Sequence, residues 1–156
     1  MNKDLQDARR DFVAAMQRET PGTDLPRYTV VLDALLDWSA AHGDRLRLRP
    51  AGTRSDVLRF ERGKSKEVFW SVQVVRRGPP KLEIHLAAGR PLSAEDRAHA
   101  METLNAVSRE ELEEGERLRI GFGALKNPAA LGAVLELLDR LLDDAPRPAS
   151  APAPTR

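Results

Sequence analysis

The sequence predicts an α+β domain: an antiparallel meander of four strands, a fifth strand later in the chain, and helices packed on one face of the sheet. Three observations lead there. Near both ends of the chain apolar residues recur at spacings of three and four, the period of a helix. Between residues 45 and 87 the period falls to two, in four runs separated by short joints rich in turn residues. The helices are also too few and too clustered for the β-α-β alternation that builds a parallel sheet. The expected element order is ααββββα(α)βα.

In the first helix, Asn2 to Thr20, Leu5, Ala8, Phe12, Ala15 and Met16 form one stripe, and Pro21-Gly22 stops it. A second helix runs from about Pro26 to His42, with proline in its first turn and Gly43 suited to a left-handed residue after its end. Its inward stripe is Tyr28, Val31, Leu32, Leu35 and Leu36, widened by Trp38 and Ala41. Strand alternation then places Leu46 and Leu48, Leu58 and Phe60, Val68, Trp70, Val72 and Val74, and Leu82, Ile84 and Leu86 toward a core. The opposite side is expected to carry Arg45, Arg47, Arg49, Arg59, Glu61, Phe69, Ser71, Gln73, Lys81, Glu83 and His85.

Ser93-Ala94-Glu95-Asp96 reads as a capping signature that starts a helix ending near Val107, and Ser108 to Glu111 repeats the pattern in a short acidic turn closed by Gly115. Leu118, Ile120 and Phe122 alternate with Arg117 and Arg119 in a fifth strand. Asn127-Pro128 then caps and opens a helix to about Asp144, striped by Leu131, Val134, Leu135, Leu138, Leu141 and Leu142. Residues 1–144 are expected to form one domain, in which the helix of 1–20 can stand either in the core or at the periphery. Residues 145–156, with four prolines and four alanines, are expected to be disordered.

Composition bounds the chemistry. The 156 residues include no cysteine, so disulfides, thiolate metal sites and thiol nucleophiles are excluded. No apolar run approaches the roughly 20 residues of a membrane span, and a cytoplasmic protein without membrane contact is expected. The net charge of +1 hides a block pattern. Residues 1–44 carry 5 basic and 8 acidic side chains, 45–81 carry 11 and 3, and 82–144 carry 7 and 13. A strongly basic middle lies between acidic flanks. Arg45, Arg47, Arg49, Arg59 and Lys81 form the basic face proper, set against the acidic run Glu110 to Glu116.

Two further groups have the residue types of a site. Gly121, Gly123, Lys126 and Asn127 sit at a strand-to-helix junction, where amides, a helix start and an ammonium group suit an anion. The third glycine of a dinucleotide loop and the Gly-Lys-Ser/Thr of a phosphate loop are absent, so a tight connection with a cap explains the same residues. Glu83 and His85 point the same way from one strand and, with Glu61 or Glu67, resemble an acid/base or metal set. A cross-strand ion-pair ladder with Arg59 and Lys81 accounts for them more simply. Trp38 and Trp70 read as packing anchors, whereas Phe69 is expected beside Ser71 on the basic face, a position from which single-strand binders stack bases.

No catalytic or cofactor motif is present, so no metal and no cofactor is expected. The leading expectation is a non-enzymatic module that binds a protein partner or a second copy of itself. The alternative is a nucleic-acid-binding domain that uses a basic open sheet face.

Overall fold

The computed structural model of the chain describes residues 3–19, 24–49, 55–63, 67–85 and 117–143, together with Gly22, Ala98 and Glu102. Its elements are α1 (Lys3–Glu19), α2 (Leu25–Ala41), β1 (Leu46–Arg49), β2 (Val57–Arg62), β3 (Val68–Gln73), β4 (Lys81–His85), β5 (Arg117–Gly121), α3 (Phe122–Leu125) and α4 (Pro128–Asp143). The strands form one antiparallel sheet in the order β1-β2-β3-β4-β5, so the α+β class and the meander follow the sequence pattern. Of the helix expected over residues 93–107, Ala98 and Glu102 are described and both are helical. The acidic turn 108–115 and the tail 145–156 lie outside the described residues.

Register explains how one face of the sheet becomes a core. Leu48, Phe60, Trp70, Ile84 and Leu118 lie in one row across all five strands, and Leu58, Val72, Leu82 and Ile120 lie in the next. Side chains two residues apart share a face, so these rows project together toward α1, α2 and α4. Phe12 and Met16 of α1, Leu32, Leu35 and Leu36 of α2, and Val134 and Leu138 of α4 are fully buried there. The N-terminal helix is therefore part of the core, and Arg9 ties it to α2 with a forked contact to Asp33 at 2.5 and 3.0 Å. That hydrogen bond raises the Arg9 pKa further above its ordinary value. The pair is about one-third exposed, so water screens its contribution to stability.

The sheet departs from strict alternation at one point. Phe60 pairs with Trp70 but Glu61 pairs with Val68, which leaves Phe69 as an extra residue in β3. Such a bulge sets two residues against one and turns the extra side chain away from its alternating position. Phe69 consequently leaves the basic face where alternation put it and joins Trp70 in the core, both with no exposed surface. Val68 makes the converse move, out of the core row to the other face, where it is half-buried.

The two adjacent aromatics bind α2 differently. Trp70 stacks on Phe60 at 4.8 Å and donates its indole N–H to Ser39 Oγ at 2.9 Å. Phe69 stacks on Trp38 at 6.1 Å, and the Arg62 guanidinium lies 4.6 Å from its ring centre. Trp38 in turn donates to Asp139 of α4 at 2.7 Å, with His42 3.5 Å from the same carboxylate.

Helix ends account for the remaining fixed points. Gly43 is not left-handed, contrary to the sequence expectation. The chain leaves α2 through His42 at φ −109°, and a Cβ at Gly43 would lie 3.3 Å from the Ala40 carbonyl oxygen. Arg77, in the β3–β4 turn, adopts the left-handed conformation instead, at φ 58°. At the end of α4, Arg45 donates to the Leu142 carbonyl and Arg62 to that of Leu141, satisfying acceptors at the negative end of the helix.

The bulge gives a direct expectation. Phe69→Ala should destabilise the fold by about 3–5 kcal/mol, the cost of truncating a buried phenylalanine. A loss below about 0.5 kcal/mol in urea unfolding would match an exposed ring on a regular strand.

Candidate functional site

Alternation places the polar partners of the core rows on the other side of the sheet, here called the outer face. Its central row is Arg49, Arg59, Ser71, Glu83 and Arg119, one residue from each strand in order. To one side lie Val57, Gln73 and Lys81, and to the other Arg47, Glu61 and Val68. Val57, Arg59, Gln73, Lys81, Glu83 and Arg119 are among the residues around a concavity of about 450 Å³ on this face.

Charge along the central row is uneven. At the β4–β5 end, Arg119 Nε donates to Glu83 at 2.9 Å, and His85 Nε2 lies 3.5 Å from the other oxygen of that carboxylate. At the β1–β2 end, Arg49 and Arg59 stand directly opposite each other. Like charges in register repel, at a cost of a few tenths to about 1 kcal/mol. Glu61 relieves one side of this repulsion: it accepts from Arg47 Nε at 3.2 Å and lies 3.8 Å from Arg49 Nε. The Glu61 residue is only 7% exposed, so the two arginines fold over it.

Arg59 and Lys81 have no ion-pair partner among the described residues. The outer face thus presents Arg47, Arg49, Arg59, Lys81 and Arg119 against Glu61 and Glu83. It holds an excess of positive charge over Ser71 and Gln73 of the central strand.

The structure separates residues that the sequence grouped together. Arg45 precedes β1 and turns to the end of α4, so it stands apart from Arg47, Arg49, Arg59 and Lys81. Glu83 and His85 do come together, but β3 lies between them and Glu61 of β2. Glu83 takes Arg119 as its cation, in place of the expected Arg59 and Lys81 ladder. Among the described residues no group of three or more His, Asp or Glu side chains could hold a metal ion. Arg119 was absent from the sequence-derived basic face, although its alternation with Leu118 and Ile120 carried the signal.

The Gly121 to Asn127 junction is occupied by the chain's own groups. Phe122 fills it as a fully buried ring, 6.2 Å edge-on to Tyr28, and its N–H donates to the Pro80 carbonyl at 2.8 Å. Gly121 has an ordinary extended conformation at φ −77°, and half-buried Gly123 lies within α3. Lys126 reaches Asp24 at 3.4 Å and sits 5.9 Å from the Tyr28 ring centre. Asn127 Oδ1 accepts the Ala129 N–H at 2.9 Å, capping α4 ahead of Pro128.

Among the described residues no helix is long and apolar enough to cross a membrane. No family model, curated protein or solved structure matches the chain.

A structural role for the junction predicts stability effects of graded size. Asn127→Ala should cost about 1 kcal/mol through loss of the cap. Lys126→Ala, which breaks a partly exposed pair, should cost less than about 1 kcal/mol. Phosphate titration should give the same null heat with wild type and Lys126→Ala, whereas saturable binding by wild type would restore an anion site there.

Proposed function

We propose that the protein is a non-enzymatic, cytoplasmic binding module whose outer sheet face receives an acidic segment of a partner protein. The observation that carries this reading is the arrangement of Arg49, Arg59 and Lys81. Arg49 and Arg59 are held in register, and Arg59 borders a concavity together with Lys81, which has no ion-pair partner among the described residues, beside the Ser71 hydroxyl and the Gln73 amide. Such a face is electrostatically unfavourable until an anion arrives, and guanidinium groups suit carboxylates in a forked geometry. Complementary charge would speed encounter and select against basic partners.

The placement of Phe69 favours protein over nucleic acid as the partner. Binders of single strands stack bases on exposed rings, and the ring that alternation assigned to this face points into the core. The outer face keeps arginines but offers no stacking platform among the described residues.

Fluorescence anisotropy with a labelled glutamate-rich peptide tests the reading. Binding should weaken steeply between low and physiological salt. Arg59→Gln and Lys81→Gln should each weaken it about tenfold, whereas Arg27→Gln on α2 should leave it unchanged. Arg59→Gln should also leave the free protein as stable or more stable by a few tenths of a kcal/mol, because it removes a like-charge pair. Failure of the peptide to bind at low salt would overturn the proposal. Tighter binding of a single-stranded oligonucleotide would replace it with the nucleic-acid reading, and salt-sensitive dimerisation abolished by Arg59→Gln would replace it with self-association.

A further inference from the structure

The concavity also has apolar surface where a purely electrostatic site would need none. Val68 and Val75 are half-buried on the outer face, and with Val57, which is 4% exposed, they line the concavity. Val57, Val68 and Val75 stand outside the core cluster that the sheet forms with α1, α2 and α4. Val68 arrives there through the same bulge that removes Phe69, which places an aliphatic side chain beside Glu61.

We infer that the acidic segment recognised by this face also carries aliphatic side chains, so that carboxylates and a leucine- or valine-like group dock together. This rests on the reading of the outer face as a site for an acidic protein segment. A carboxylate sits between Arg59 and Lys81, over the Ser71 hydroxyl and the Gln73 amide, with the cations and donors sharing its oxygens. A neighbouring aliphatic group covers Val75 or Val68. The combination makes the site selective. A plain polyanion satisfies the cations but leaves the valines wet, and an uncharged apolar segment leaves Arg59 and Lys81 without a counter-charge. The directly paired ions at the Glu83 and Arg119 end set the boundary of the site, because their charge is already neutralised.

Three labelled peptides of equal length distinguish the possibilities: glutamate interspersed with leucine, glutamate interspersed with serine, and glutamine interspersed with leucine. The glutamate–leucine peptide should bind about tenfold more tightly than the glutamate–serine peptide, the gain expected from burying roughly one aliphatic side chain. The glutamine–leucine peptide should bind more weakly than either. The near-isosteric double variant Val68→Thr/Val75→Thr should erase the preference for leucine while keeping the effect of Arg59→Gln. Equal affinity of the two glutamate peptides for wild type would overturn the inference and leave the acidic-segment reading intact. Failure of both to bind would overturn that reading as well. Glutamine–leucine binding as tight as glutamate–leucine would overturn the role of the cations. All three comparisons use the wild-type protein, so they stand whether or not the double variant folds.

Discussion

One extra residue in β3 determines how the two sides of the sheet differ. With regular pairing Phe69 would alternate outward and Val68 inward, and α2 would meet a single aromatic there. The bulge opposite Glu61 supplies two adjacent rings to the helix layer. Trp70 takes Ser39 and Phe69 takes Trp38, which are consecutive positions on α2. Trp38 extends the link to α4 through Asp139, and Arg62 lies over the Phe69 ring while reaching the end of the same helix. Helix placement thus follows from a local irregularity in strand pairing. Bulged strands also twist more strongly, which aids the curvature on which a concavity depends.

Much of the fold could be read from period alone. Rows such as Leu58, Val72, Leu82 and Ile120 announce themselves by alternation, and the stripes of α1 and α4 by their spacing of three and four. The bulge left no such signal. Val68-Phe69-Trp70 is apolar throughout, so either register buries two large side chains, and alternation cannot choose between them. The choice is made by tertiary contacts: Trp38, remote in sequence, and Arg62, at the end of the neighbouring strand, provide the surfaces that Phe69 occupies. Gly43 shows the same limit at smaller scale. A glycine after a helix suggested a left-handed turn, but crowding by the Ala40 carbonyl is what favours it.

The candidate site was legible in part. The block of positive charge over residues 45–81 was visible in the sequence, and its assignment to strands followed from the period. Which charges remain unpaired depends on strand order, which composition does not contain. Glu83 meets Arg119 because β5 returns beside β4, across more than thirty residues of chain, and this withdraws Glu83 from the other cations. Arg45 leaves the group because the end of α4 presents carbonyl acceptors nearby. Arg59 keeps its charge uncompensated for the complementary reason: its cross-strand neighbours are Arg49 and Ser71.

The sheet ends at β1, a strand of four residues, and this bears on whether a further strand can be added there. Short edge strands bearing charged side chains are poor templates for adding a further strand, because an incoming backbone gains few hydrogen bonds and meets like charges. On β1 those charges are Arg47 and Arg49, both held by Glu61 toward the outer face. Arg47 and Arg49, drawn over Glu61, therefore discourage the addition of a strand at this edge. Cover over the buried Glu61 carboxylate and protection of the sheet edge are served by the same pair of residues.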